Sequence, residues 1–159
     1  PPRAAAPPGA LPADRYNRRH MATPRFQRLL LPTDFSEPAR AALDTAVEWA
    51  RRFWAKLDLL HVAPLNRMGV PEAEADLARL VPPAMSGLVA SRRVAVALAP
   101  ELGIVQAAKD GPSDLIVMAT HGRGAIAHVL LGSTTEKVVR KSPCPVLTIR
   151  TSDHPFEMP

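Results

Sequence analysis

Apolar residues in this chain come in two kinds of run. Short unbroken stretches of Leu, Ile and Val alternate with longer ones in which apolar positions recur every three or four residues. Arg28-Leu-Leu-Leu-Pro-Thr33 is the first short run and reads as a buried strand. Asp34-Phe-Ser-Glu-Pro38 then supplies a helix entry. Ser36 suits the N-cap, and Pro38 falls in the first turn, where its missing N–H costs nothing. Ala39, Ala42, Leu43, Ala46, Val47, Ala50, Phe53 and Trp54 come next at helical spacing and predict one inward face. Leu57-Asp-Leu-Leu-His-Val62 is the next strand, with His61 expected as a satisfied core residue. The opening is therefore β-α-β, which implies a parallel pair joined by a right-handed crossover.

Residues 64–92 carry the weakest pattern. A helix is expected over 72–81, with Ala73, Leu77 and Leu80 inward, and Pro82-Pro83 and Gly87 should end or kink it before Arg92. Val94–Leu98 suits a third strand, Pro100–Lys109 a third helix and Gly111-Pro112-Ser113 a turn. Asp114–Ala119 is a fourth strand, continuously apolar in its middle as a strand covered on both faces should be. Ser133–Lys141 forms the last helix and Val146–Arg150 the last strand, with an irregular tail over 151–159. Alternating strands and helices of this kind predict an α/β protein, an open, doubly wound, five-stranded parallel sheet with helices on both faces.

Composition supports one domain of this kind. The 159 residues are 47% hydrophobic but only 4% aromatic, which suits helices packed on a sheet better than an aromatic-rich sandwich. No run approaches the roughly 18 apolar residues of a membrane span, and no apolar signal-peptide core begins the chain. The single cysteine, Cys144 between two prolines, has no partner for an internal disulfide and reads as a small core residue. These features predict a cytoplasmic protein without a membrane partner. The net charge of +5 is unevenly distributed. Residues 1–28 hold six Arg against Asp14 alone, while the remainder balances 14 basic with 14 acidic residues. Basic character thus belongs to a Pro/Ala/Arg leader over 1–25, expected to be disordered for want of apolar surface to bury. The leader is either a solvated extension preceding Met21 or an arm for an anionic partner. The neutral remainder argues against a nucleic-acid surface elsewhere.

The stretch from Met118 to Glu136 carries the candidate chemistry. Gly122 and Gly132 are separated by nine residues, and Ser133 opens a helix. Glycines let the backbone approach a ligand closely, and the N–H groups at a helix start attract anions, so strand, glycine loop and helix N-terminus suggest a phosphate cradle. In an open α/β sheet, ligands bind beyond the carboxyl ends of the strands. That rule brings Pro32, Thr33, Asp34 and Val62 to the same place. Asp34 can accept from an adenine amino group or a ribose hydroxyl. Thr33 and Asp34 also fit a plain strand-to-helix turn. Arg123 is either a solvated loop charge or a phosphate clamp, and His121 is expected to be structural. Ser133-Thr-Thr-Glu136 matches a capping box, in which Ser133 and Glu136 satisfy the helix's own amides. Gly122-x-Gly124-x-x-Ala127 imitates a dinucleotide fingerprint, but it comes after the fourth strand and lacks the acid about 20 residues on, which argues against hydride chemistry. A P-loop, a metal-spaced Cys/His set and a nucleophile elbow are all absent from the sequence.

Three stretches, 29–38, 114–123 and 131–147, resemble the universal stress protein family, and the likeness spans about residues 26–150. The resemblance implies a sheet of the adenine nucleotide alpha hydrolase-like class and a homodimer paired through the last strand, Val146–Thr148. In one branch it also implies ATP, with or without magnesium, held through G-x2-G-x9-G-[ST]. That pattern falls on Ala119, Gly122, Gly132 and Ser133. Pro32, Thr33, Asp34, Val62, Met118 and Thr134 are similar to the adenosine-facing and phosphate-facing positions. Ala119 departs from the pattern, since the family's residue there is glycine. The expected function is an ATP-binding stress-response module with slow or absent hydrolysis. The alternative is a nucleotide-free dimeric scaffold for protein partners not named by the sequence. A third reading is autophosphorylation at Ser133, Thr134 or Thr135.

Overall fold

The computed structural model describes residues 26–66, 68–120 and 131–150. Five parallel strands, β1 (Arg28–Pro32), β2 (Lys56–Ala63), β3 (Val89–Val96), β4 (Leu115–Ala119) and β5 (Val146–Ile149), lie in the order β3-β2-β1-β4-β5. Helices α1 (Glu37–Phe53) and α2 (Val70–Leu80) cover one face, and α3 (Pro100–Asp110) and α4 (Ser133–Lys141) the other. This is the doubly wound sheet that the alternating pattern predicts. The leader over 1–25, the tail over 151–159, and His121, Gly122, Arg123 and Gly124 lie outside the described residues.

Alternation along the central strands divides the core into two halves. Leu29, Leu31, Leu57, Leu59, Leu115 and Val117 meet Ala42, Leu43, Ala46 and Ala50 of α1, and Leu77 of α2. Leu30, Leu60, Ile116 and Met118 face Ile104, Ala107 and Ala108 of α3, and Val138 of α4. Ser36 caps α1 as its sequence position predicts, its Oγ accepting from Ala39 N at 3.4 Å. On the other face α3 lies close against the sheet because Gly103 has no side chain. A Cβ there would stand 2.7 Å from Val62 Cγ1 and 2.9 Å from Cγ2, closer than carbon atoms can pack.

The least patterned region differs from expectation. The third strand runs over Val89–Val96 rather than Val94–Leu98, after a 3-10 helix at Pro83–Leu88. It is an edge strand with Arg92 and Arg93 exposed, so an apolar run does not mark it. Polar contacts secure it instead. Ser91 Oγ donates to Asp58, Arg92 Nε donates to Leu77 O at 3.2 Å, and a bulge opposite Leu57 and Asp58 brings Ser91 into register with Asp58. Leu98, the expected end of this strand, is 78% exposed beyond it.

Candidate functional site

Strand order reverses between β1 and β4, and a crevice opens there at the carboxyl ends of the strands. Its volume is about 350 Å³, at the lower end of ordinary small-molecule pockets. Pro32, Thr33 and Asp34 come from the end of β1, Val62 from β2, Met118 and Ala119 from β4, and Gly132, Ser133 and Thr134 from the start of α4. The crevice therefore gathers every candidate site residue within the described regions. Gly122 and Arg123 fall outside them. Six further lining residues escape a sequence reading of the site: Ala39, Leu60, His61, Thr135, and Pro100 with Ile104 on α3. One signal points to part of this set: Leu60 shares a strand face with Val62.

The β1 wall is a tightly bonded turn. Thr33 is buried, and its N–H donates to Leu60 O at 2.8 Å. Its Oγ1 accepts from Phe35 N at 3.0 Å. Asp34 Oδ1 accepts from Ser36 N at 3.1 Å and from Ser36 Oγ at 2.5 Å. Thr33 and Asp34 thus shape the turn and line the crevice at once.

The opposite wall is the N-terminus of α4, and here one sequence expectation fails. Gly132, with φ −66° and ψ 150°, is the N-cap, so Ser133 is the first helical residue. Among the described residues no side chain caps the helix. Glu136 pairs with Arg140 at 2.7 Å, not with the helix start, so Ser133-Thr-Thr-Glu136 is not a capping box. The extended Gly132 begins the helix one residue earlier than the S-x-x-E pattern requires. Backbone contacts fix this terminus to β4. Gly132 N donates to Thr120 O at 2.7 Å, and the buried Thr135 Oγ1 donates to Ala119 O at 3.0 Å. An uncapped helix start directed at a crevice favours an anion.

Ala119, where the glycine pattern breaks, does not have a left-handed backbone. Phe35 and Trp54 are the only non-glycine residues with positive φ among those described. Ala119 packs with Val117 and Leu115 in the core half beneath α1, while its neighbour Met118 faces α3 and α4. Its methyl group is core packing on the face opposite Leu60, Met118 and Ile104.

A salt bridge couples the two helices that flank the crevice. Lys137 Nζ of α4 lies 3.0 Å from Glu101 Oε1 in the first turn of α3, with the Glu101 side chain 9% exposed and Lys137 52%. The Lys137 hydrogen bond, then a backbone hydrogen bond, hold the Glu101 carboxyl below its ordinary value against the opposing effect of burial. A carboxyl lowered in the folded state stabilises fully above its unfolded pKa, and the contribution disappears as pH falls through the folded value. Glu101→Gln is therefore expected to lower the melting temperature by about 2–4 °C at pH 7. This corresponds to about 1 kcal/mol for a pair whose lysine is half in solvent. Melts repeated at successively lower pH should show the gap closing below the ordinary glutamate range.

A parallel sheet wound on both faces, with a crevice at its switch point beside a helix N-terminus, defines a doubly wound α/β protein with a ligand-sized site at that point. A family model described as the universal stress protein family matches residues 25–150. The chain is 34% identical to a universal stress protein of Thermus aquaticus, from the QAH/OAS sulfhydrylase 3′ region, over 136 residues, covering 79% of this chain and 99% of that one. Among solved structures, universal stress protein UspA from Lactobacillus plantarum superposes with a TM-score of 0.67 at 30% identity, covering 79% of this chain and 99% of that one. A universal stress protein solved in complex with cAMP gives 0.63 at 28% identity, covering 80% and 99%. The chain belongs to the universal stress protein family.

Proposed function

We propose that this protein is an ATP-binding module of the stress response, in which occupancy of the crevice, with slow or no hydrolysis, is the signal. One observation carries the reading. The uncapped start of α4 stands across a single crevice from the Thr33-Asp34 turn, so phosphates and a nucleoside have complementary walls. In this assignment Gly132, Ser133 and Thr134 take phosphate, together with Gly122 and Arg123 from the glycine segment. Pro32, Thr33, Asp34, Val62, Met118 and Ala119 take the nucleoside. The relative solved with cAMP supports an adenine nucleotide as the ligand class. Magnesium would enter with the nucleotide, held by its phosphates. No described helix is long and apolar enough to cross a membrane, and the free, half-buried Cys144 suits a reducing cytoplasm. The open edge of β5 supports a homodimer paired through Val146–Thr148.

Thermal shift tests the ligand. At ATP one hundred times above Kd the expected gain is about 2.7 kcal/mol, or roughly 5–10 °C. Mass spectrometry of nucleotide released on denaturation, and light scattering of the same sample, test the native ligand and the dimer. No shift together with no released nucleotide would leave the scaffold reading in its place.

A further inference from the structure

Sequence pattern alone makes His61 an inert core residue, but it borders the crevice and bonds the Thr33-Asp34 turn. Along β2, Leu60 and Val62 contribute to the core half facing α3 and α4, and Leu59 to the half beneath α1. Alternation puts His61 on the side of Leu59, away from Leu60 and Val62. From there its Nδ1 lies 2.8 Å from Thr33 O. A carbonyl only accepts, so Nδ1 carries the proton in this contact. The imidazole also stacks on Phe35, with ring centroids 4.9 Å apart and planes 25° from parallel.

Phe35 explains why such support is needed. Its φ is +63°, a left-handed conformation that bulky side chains rarely adopt and that costs on the order of 1 kcal/mol or more. Two local contacts hold it there, the Phe35 N–H to Thr33 Oγ1 and the ring stacked on His61. This unfavourable residue lies between the crevice-lining Asp34 and the cap Ser36, so it directs the turn toward the crevice. The geometry points to His61 as a positioning residue for the nucleotide pocket. It donates to Thr33 O and buttresses Phe35, and through these two contacts fixes Thr33 and Asp34. This inference rests on the nucleotide reading of the crevice.

Two substitutions separate the parts of this strut. In His61→Phe a flat ring remains against Phe35 but the donor is lost, leaving Thr33 O without its side-chain partner. In His61→Asn the side-chain amide offers an N–H near the position of Nδ1 and the ring is lost. ATP affinity is to be measured by calorimetry well below each variant's melting temperature, so that folded protein alone is compared. His61→Phe is expected to weaken binding about tenfold and His61→Asn no more than about threefold. Hydrogen exchange at Phe35 and Ser36 in the ligand-free protein should be fastest in His61→Phe. Wild-type affinity in His61→Phe, or equal loss in both variants, overturns the positioning role. Failure of the wild-type protein to bind ATP overturns the nucleotide reading and this inference with it.

Discussion

Gly132→Val is expected to abolish ATP binding, with at least a hundredfold loss of affinity and a melting temperature within a few degrees of wild type. The reason lies in the geometry of the N-cap. Gly132 has the extended φ and ψ that any L-residue adopts, so valine is compatible with the backbone. What valine adds is a branched side chain beside the first amides of α4, where the phosphates are expected. Losing two charge-assisted hydrogen bonds there costs roughly 3 kcal/mol, which is a hundredfold in Kd. Ala119→Gly provides the contrasting control. It restores the family's glycine but removes a methyl from the core beneath α1, so affinity should stay within about twofold. Stability should fall by roughly 0.5–1 kcal/mol, the usual penalty for glycine inside an element. Calorimetry with ATP and thermal melts on the same three proteins would decide. A Gly132→Val protein that still binds ATP normally would remove the helix terminus from the site.

These two glycine-pattern positions also mark how far the sequence can be read. The strands at Leu29–Leu31 and Leu115–Ala119 are legible because burial on both faces requires an unbroken apolar run, and α1 because its inward face repeats at helical spacing. The crevice is legible wherever the chemistry lies at a strand end, as with Pro32, Thr33, Asp34 and Met118. It is not legible on α3. Pro100 and Ile104 reach the crevice only because Gly103 lets the helix settle on Val62, a contact between elements that no local pattern records. The capping box fails for a related reason. S-x-x-E states which residues are present but not where helical dihedrals begin, and here they begin after Gly132. β3 begins earlier than its apolar residues suggest because an edge strand with solvent-facing arginines resembles a loop. His61 falls in its strand as the pattern predicts, yet its role depends on Phe35, whose positive φ the sequence does not announce.

The other large effect is expected at the far end of the sheet, where Asp58→Ala should cost about 2–4 kcal/mol and lower the melting temperature by roughly 5–15 °C. Asp58 is 5% exposed near the amino end of β2, a poor place for a carboxyl unless it is fully partnered. It accepts from Arg28 Nε at 2.9 Å, from Arg28 Nη2 at 2.5 Å and from Ser91 Oγ, so one side chain joins β1, β2 and β3. Asp114 continues the stitching by accepting from the N–H groups of Gln27 at 2.6 Å and Arg28 at 2.8 Å. The Asp58 hydrogen bonds hold the Arg28 guanidinium even more firmly protonated than usual, so alanine at 58 leaves a part-buried charge without its side-chain acceptor rather than a neutral gap. Such a network also opposes register slip, because moving β2 by one residue would put Asp58 on the wrong face. The double variant Arg28→Met with Asp58→Leu should therefore be markedly more stable than Asp58→Ala alone, since an apolar pair replaces both charges at once. If Asp58→Ala and Arg28→Met prove additive in urea titrations, the pair is not coupled and the register of β1, β2 and β3 is held by their apolar faces.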